Sequence, residues 1–191
     1  MVVSRLLEQY NALKLYFTSA VLDDKLVAAD TILQRLSNPI TKLYLLFLDF
    51  VLPVFNKVNK LMQSESTQIH VLYMSVASTL RTILSCYMKE SYLSKTPLKQ
   101  LRFRDPDIFK PIEEMYLGVA VVIELRSSAQ YEKVAIDRFR LNCLEFYIEA
   151  ASQINKRFPF DSEKLEILKA LSPKVVFNKE IPSLVTLFHN I

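Results

Sequence analysis

The chain has 191 residues, 51% of them hydrophobic, and a formal charge of +4 from 24 basic and 20 acidic side chains. That length suits one domain with a sizeable core, and that composition argues against intrinsic disorder. The single glycine, Gly118, leaves too few positive-φ corners for a β-sandwich, a Rossmann unit or a P-loop, so long helices with short links are predicted.

A first helix is predicted from Ser4, a good N-cap residue, with Leu6, Leu7, Tyr10, Leu13 and Phe17 on its apolar face. Asp23 and Asp24 are expected to cap a second helix reaching about Leu36, with Leu26, Val27, Ile32, Leu33 and Leu36 inside. Asn38-Pro39 reads as an N-cap followed by proline at the first helical position, opening a third helix to about Met62. Pro53 lacks a backbone donor, so a kink or break is expected there. The apolar run Leu43 to Phe55 is shorter than the roughly 20 residues that span a bilayer and reads as a buried core helix.

After a polar link at 63–67, Ser66 or Thr67 should cap a fourth helix to about Tyr92. Its predicted core stripe is Ile69, Leu72, Val76, Leu80, Ile83, Leu84 and Tyr87. Residues 94–111, with Pro97, Pro106 and Pro111, read as a loop. Residues 115–125 fit either a buried helix turn or a short strand. A long helix over 128–156 should bury Val134, Ile136, Leu141, Leu144 and Ile148, with Tyr147 and Ile154 flanking, and stop at Pro159. A short helix from Asp161 or Ser162 to about Leu171 and an unfinished helix over 183–191 complete an all-α bundle of about six to eight helices in one domain, 1–191.

Chemistry is sparse along these elements. Cys86 and Cys143 fit no metal spacing and fall in apolar patterns, so two buried reduced thiols in an intracellular compartment are expected. MVVSRLLEQ at the N-terminus is not a signal peptide. Asp105 and Asp107 could hold magnesium, but aspartates of a proline-rich turn more simply cap and solvate it. Glu145 and Glu149 share a helix face that reads as solvated. His70 and His189 have no partner at ligand or triad spacing. The basic stretch Lys95, Lys99, Arg102, Phe103 and Arg104 interleaves cations with an aromatic on a loop, as phosphate contacts require. The alternative for it is a solvated loop with Phe103 packed inward. Lys156 and Arg157 read as complements to a helix dipole.

Arg5 to Phe17, RLLEQYNALKLYF, resembles a segment of hAT-superfamily DNA transposases and the host proteins derived from them. Further strings fall in the same order, from KLYLLFLDFVLPVFNKVNKLMQSES (Lys42 to Ser66) through IHVLY and YLG to CLEFYIEAASQINKRFPFD (Cys143 to Asp161). The sharpest are FVLPVFNKVNKLMQSE and KRFPF, and the likeness covers nearly the whole chain. It implies the helical insertion of a ribonuclease-H-like transposase core, whose three catalytic acids flank this segment. On that likeness two acids would precede Met1, and the third would follow a helix like the one opening at Leu184, near a tryptophan that this chain lacks.

No catalytic, metal-binding or cofactor-binding residue is therefore assigned. The resemblance implies a catalytically incomplete, nuclear, transposase-like fragment and not an enzyme. Its expected role is weak, sequence-independent DNA binding through Lys95, Lys99, Arg102, Phe103 and Arg104, or association with itself or other transposase-like chains. No membrane or small-molecule partner is expected. The rival reading is a helical protein-interaction module without nucleic-acid binding.

Overall fold

The computed structural model describes residues 2–24, 27–65, 69–127, 131–160 and 162. Among these are eight α-helices and no β-strand: α1 (Val2–Glu8), α2 (Tyr10–Asp24), α3 (Val27–Ser37), α4 (Pro39–Met62), α5 (Ile69–Tyr87), α6 (Glu90–Leu93), α7 (Val119–Ser127) and α8 (Lys133–Arg157). The predicted all-α bundle of six to eight helices is thus the fold of the described residues. The ambiguous 115–125 segment resolves as a helix, α7, entered through Gly118. The predicted caps at Ser66 or Thr67, the predicted helices up to Leu171 and over 183–191, and His189 lie outside the described residues.

The chain divides into two compact units. Unit 1 takes Met1–Pro53 and Tyr116–Cys143, and unit 2 takes Val54–Met115 and Leu144–Ile191.

In unit 1, α1 and α2 form almost one helix. The Gln9 amide donates to the Arg5 carbonyl at 3.1 Å, and the Leu13 amide to the Gln9 carbonyl at 2.8 Å. Ser4 lies inside α1 and is not its cap. Its hydroxyl donates instead to Asp49 Oδ1 of α4 at 2.6 Å. Asp23 and Asp24 close α2 ahead of α3 at Val27, and the capping predicted for their side chains lies outside the described residues. Tyr10 is buried and donates its hydroxyl to the Leu36 carbonyl at 2.7 Å, joining α2 to the end of α3. Burial, followed by the nearby charge of Glu124, pushes the Tyr10 phenol up. In α3 the buried residue is Ala29, with Leu33 and Leu36 half-buried, while Val27 and Ile32 face water. A small residue allows closer approach between helices than the β-branched positions favoured by the sequence pattern.

The predicted start of α4 is correct. Asn38 Oδ1 accepts from the Ile40 amide at 3.0 Å, and Pro39 is the first helical residue. No break occurs at Pro53, and the helix continues to Met62. One missing donor removes one intrahelical bond, which side-chain packing on the inner face offsets.

α4 is long and apolar enough to cross a membrane by length and composition, and its most apolar window has a mean hydropathy of 1.3 with 17% buried. It is therefore not a wholly buried core helix. Leu43, Phe47 and Val51 form a single buried face. Lys42 and Asp49 on this helix are both engaged by neighbouring side chains. Lys42 Nζ meets Glu124 Oε2 of α7 at 2.8 Å, Tyr131 donates to Glu124 Oε1 at 3.0 Å, and Ser4 holds Asp49. Such polar ties suit an amphipathic helix packed within a protein.

Gly118 has φ +99°, a conformation that side-chain-bearing residues rarely adopt. A Cβ there would sit 2.7 Å from Phe50 Cγ, so the missing side chain also admits the Phe50 ring. That ring meets Tyr116 edge-on at 5.1 Å.

The buried stripe of α8 is Phe139, Cys143, Tyr147 and Ala151, each a helical turn after the last. Val134 and Leu141, expected inside, are exposed, and Tyr147, expected to flank, is central. The helix carries apolar side chains on several faces, so its period alone did not select the inner one. In unit 1, Phe139 packs edge-on against Tyr44 at 4.9 Å.

Both cysteines are buried thiols. Burial pushes Cys143 up to about 12 from an ordinary 9.0. Below pH 9 the thiol is neutral in folded and unfolded chains alike. Above it the unfolded chain ionises first, so stability should fall by about 1.4 kcal/mol per pH unit through that window. Urea unfolding at a series of alkaline pH values should show a shallower decline for Cys143→Ala. Equal slopes would remove Cys143 from the effect.

In unit 2, α5 buries Val76, Leu80, Ile83, Leu84 and Tyr87 of the predicted stripe, together with Tyr73 and Ala77, while Leu72 is half-buried. It ends at Tyr87, earlier than the predicted Tyr92, because the last residues of the 94–111 loop capture its last groups. Met88 pairs with Phe109 in an isolated antiparallel bridge. The Lys110 amide donates to the Tyr87 carbonyl at 2.8 Å, and the Lys89 amide to the Ile108 carbonyl at 3.0 Å. Lys110 Nζ adds a bond to the Ser85 carbonyl at 2.7 Å, neutralising the helix end. Tyr87 stacks on Tyr147 at 6.0 Å with an 8° interplanar angle, meets Phe109 edge-on at 5.2 Å, and donates its hydroxyl to the Phe103 carbonyl at 2.9 Å. α8 ends at Arg157, just before the predicted stop at Pro159.

Candidate functional site

Residues 94–111 form an ordered loop built from short 3-10 turns, at Leu98–Gln100 and Pro106–Ile108. Asp105 caps the second turn, its Oδ1 accepting from the Asp107 amide at 3.1 Å. Its other oxygen meets Arg102 Nη1 at 3.1 Å. The Asp105–Asp107 pair is thus the capped turn that the sequence suggested. Among the described residues, no three His, Cys, Asp or Glu side chains gather as a metal-binding group.

The five candidate binding residues fare differently. Lys95 is exposed just after α6, and Lys99 is exposed on the first 3-10 turn. The Arg102 side chain is turned to Asp105, and its backbone amide donates to Tyr92 Oη at 3.1 Å. Phe103 is half-buried, and its carbonyl accepts from the Tyr87 hydroxyl. Arg104 reaches α8, where Nη2 contacts Glu149 Oε2 at 3.2 Å and Ser152 Oγ at 3.0 Å. Glu149 is fully exposed. A hydrogen bond from Gln153 is the largest influence holding its carboxyl below the ordinary range, and the charges of Arg104 and Lys156 act in the same direction. Both arginines are thus paired with carboxylates, Arg102 with the half-buried Asp105 of the capped turn and Arg104 with the exposed Glu149.

Lys99 belongs to another grouping. It lines a cleft of about 490 Å³ with Lys156 and Arg157 from the last turn of α8 and with the Phe158-Pro159-Phe160 stop. Phe158 and Phe160 are buried, 4.9 Å apart, and both contact Tyr73 of α5. The aromatics thus fix the cleft wall, and the cations supply its chemistry. The sequence reading treated Lys156 and Arg157 only as dipole partners. The available signal was KRFPF itself, where two basic residues run directly into two aromatics around a proline.

No known protein family, curated protein or solved structure matches this chain.

Proposed function

We propose that this chain is a non-catalytic helical binding domain of the hAT transposase-like kind, which holds DNA phosphates in the unit 2 cleft. The observation that supports this best is the convergence of Lys99, Lys156 and Arg157, from a loop and a helix end distant in sequence, on one open cleft. Three cations around a concave wall match the spacing freedom of a phosphate backbone. Arg102 and Arg104 lie on the same loop and add charge once their carboxylate partners are displaced.

Binding should be independent of sequence and weaken steeply with salt. Fluorescence anisotropy on a labelled duplex should show Lys99→Ala and Lys156→Ala each lowering the salt slope by about 1. Unchanged affinity in a chain lacking Lys99, Lys156 and Arg157 would overturn the proposal.

A further inference from the structure

A second concavity of unit 2, about 280 Å³, shares Arg157 and Phe158 with the basic cleft but differs in chemistry. Its walls are two helix faces with the same spacing. Phe55, Val58, Asn59 and Met62 stand at i, i+3, i+4 and i+7 on α4, and Ala150, Gln153, Ile154 and Arg157 stand at the same offsets on α8. Val76 and Thr79 of α5 form the floor and are both buried.

Two helix rows with the same spacing and buried side chains between them are a surface that can receive a third helix. The lining supports this. Phe55, Val58 and Ile154 are only half-buried, and Met62 leaves 57% of its surface in water at one end. A flexible thioether at the rim adapts to varied apolar surfaces. Charge narrows the choice of occupant. Among the described residues lining the groove, Arg157 is the one ionised side chain and no carboxylate is present. Lys57 and Lys60 are exposed on the same stretch of α4, and the exposed Glu149 is held by Gln153 at 2.6 Å.

We propose that this groove docks an amphipathic helix of a partner protein, apolar at i, i+3, i+4 and i+7, with a carboxylate at the end that meets Arg157. Asn59, Thr79 and Gln153 set its register through polar contacts between the apolar ones. The proposal does not depend on DNA binding, since the basic cleft could be inactive and the groove would keep its shape and charge.

The test is selection of a displayed library of amphipathic helical peptides on the full chain, with a scrambled, non-helical library as control. The expected winners carry the apolar spacing and an aspartate or glutamate one turn beyond it. Met62→Lys, at an exposed position that the fold tolerates, should weaken them by about tenfold or more. Arg157→Glu should switch the selection from acidic to basic helices. Lys156→Glu, which disables the basic cleft alone, should leave peptide affinity unchanged. No enrichment over the control library, or winners indifferent to both Met62→Lys and Arg157→Glu, would overturn the proposal. A dimer in sedimentation that Met62→Lys disrupts would also overturn it, because a second copy would then be the occupant.

Discussion

Tyr147→Ala should lower the unfolding free energy of unit 2 by about 3–5 kcal/mol, the range for truncating a large aromatic in a core. The ring is fully buried on the inner stripe of α8, stacked on Tyr87 and edge-on to Phe146 at 6.4 Å. Tyr87 in turn holds the loop through the Phe103 carbonyl, so the damage should spread from the core to the candidate binding loop. Tyr147→Phe separates the ring from its hydroxyl. It should cost only about 1 kcal/mol, the typical worth of one hydrogen bond. The lost bond is the one to Cys86, which holds that thiol below where burial alone would put it, so Cys86 should shift further upward. Urea denaturation followed by near-ultraviolet circular dichroism reads both variants. A loss below about 1 kcal/mol for Tyr147→Ala would contradict its central place in the core.

Gly118→Ala should destabilise unit 1 by about 2–5 kcal/mol, from two causes that can be separated. Holding a residue with a side chain at φ +99° costs about 1–2 kcal/mol. Forcing a methyl to 2.7 Å from Phe50 Cγ costs about 1–3 kcal/mol as overpacking. In a Phe50→Ala background the second cost should largely vanish while the first remains, so the double-mutant cycle should be non-additive. Strict additivity would mean that Phe50 moves aside freely and that backbone strain alone fixes glycine here.

The helix boundaries legible in the sequence were those with a backbone reason. Asn38-Pro39 supplies a cap and a pre-set φ, and Pro159 cannot prolong α8, so both marks held. The stripe of α5 was legible because its apolar residues keep to one face. Ser4 misled because a residue suited to a cap also serves inside a helix when a tertiary partner claims its side chain. α8 misled because Val134 and Leu141 are as apolar as Tyr147, and only packing decides which face turns inward. The early end of α5 was invisible because it depends on Phe109 and Lys110, far along the chain, meeting Met88 and Tyr87. The same holds for the candidate site. Lys99 was legible as an exposed loop cation, whereas its grouping with Lys156 and Arg157 is a tertiary fact.

The most direct test of the DNA-binding account is lysine footprinting of the full chain, by limited acetylation and mass spectrometry, with and without a short DNA duplex at low salt. Lys99 and Lys156 should become protected, while Lys14 and Lys133, exposed on unit 1, should react as before. Acetylation of Lys99 and Lys156 at the same rate with and without DNA would contradict it.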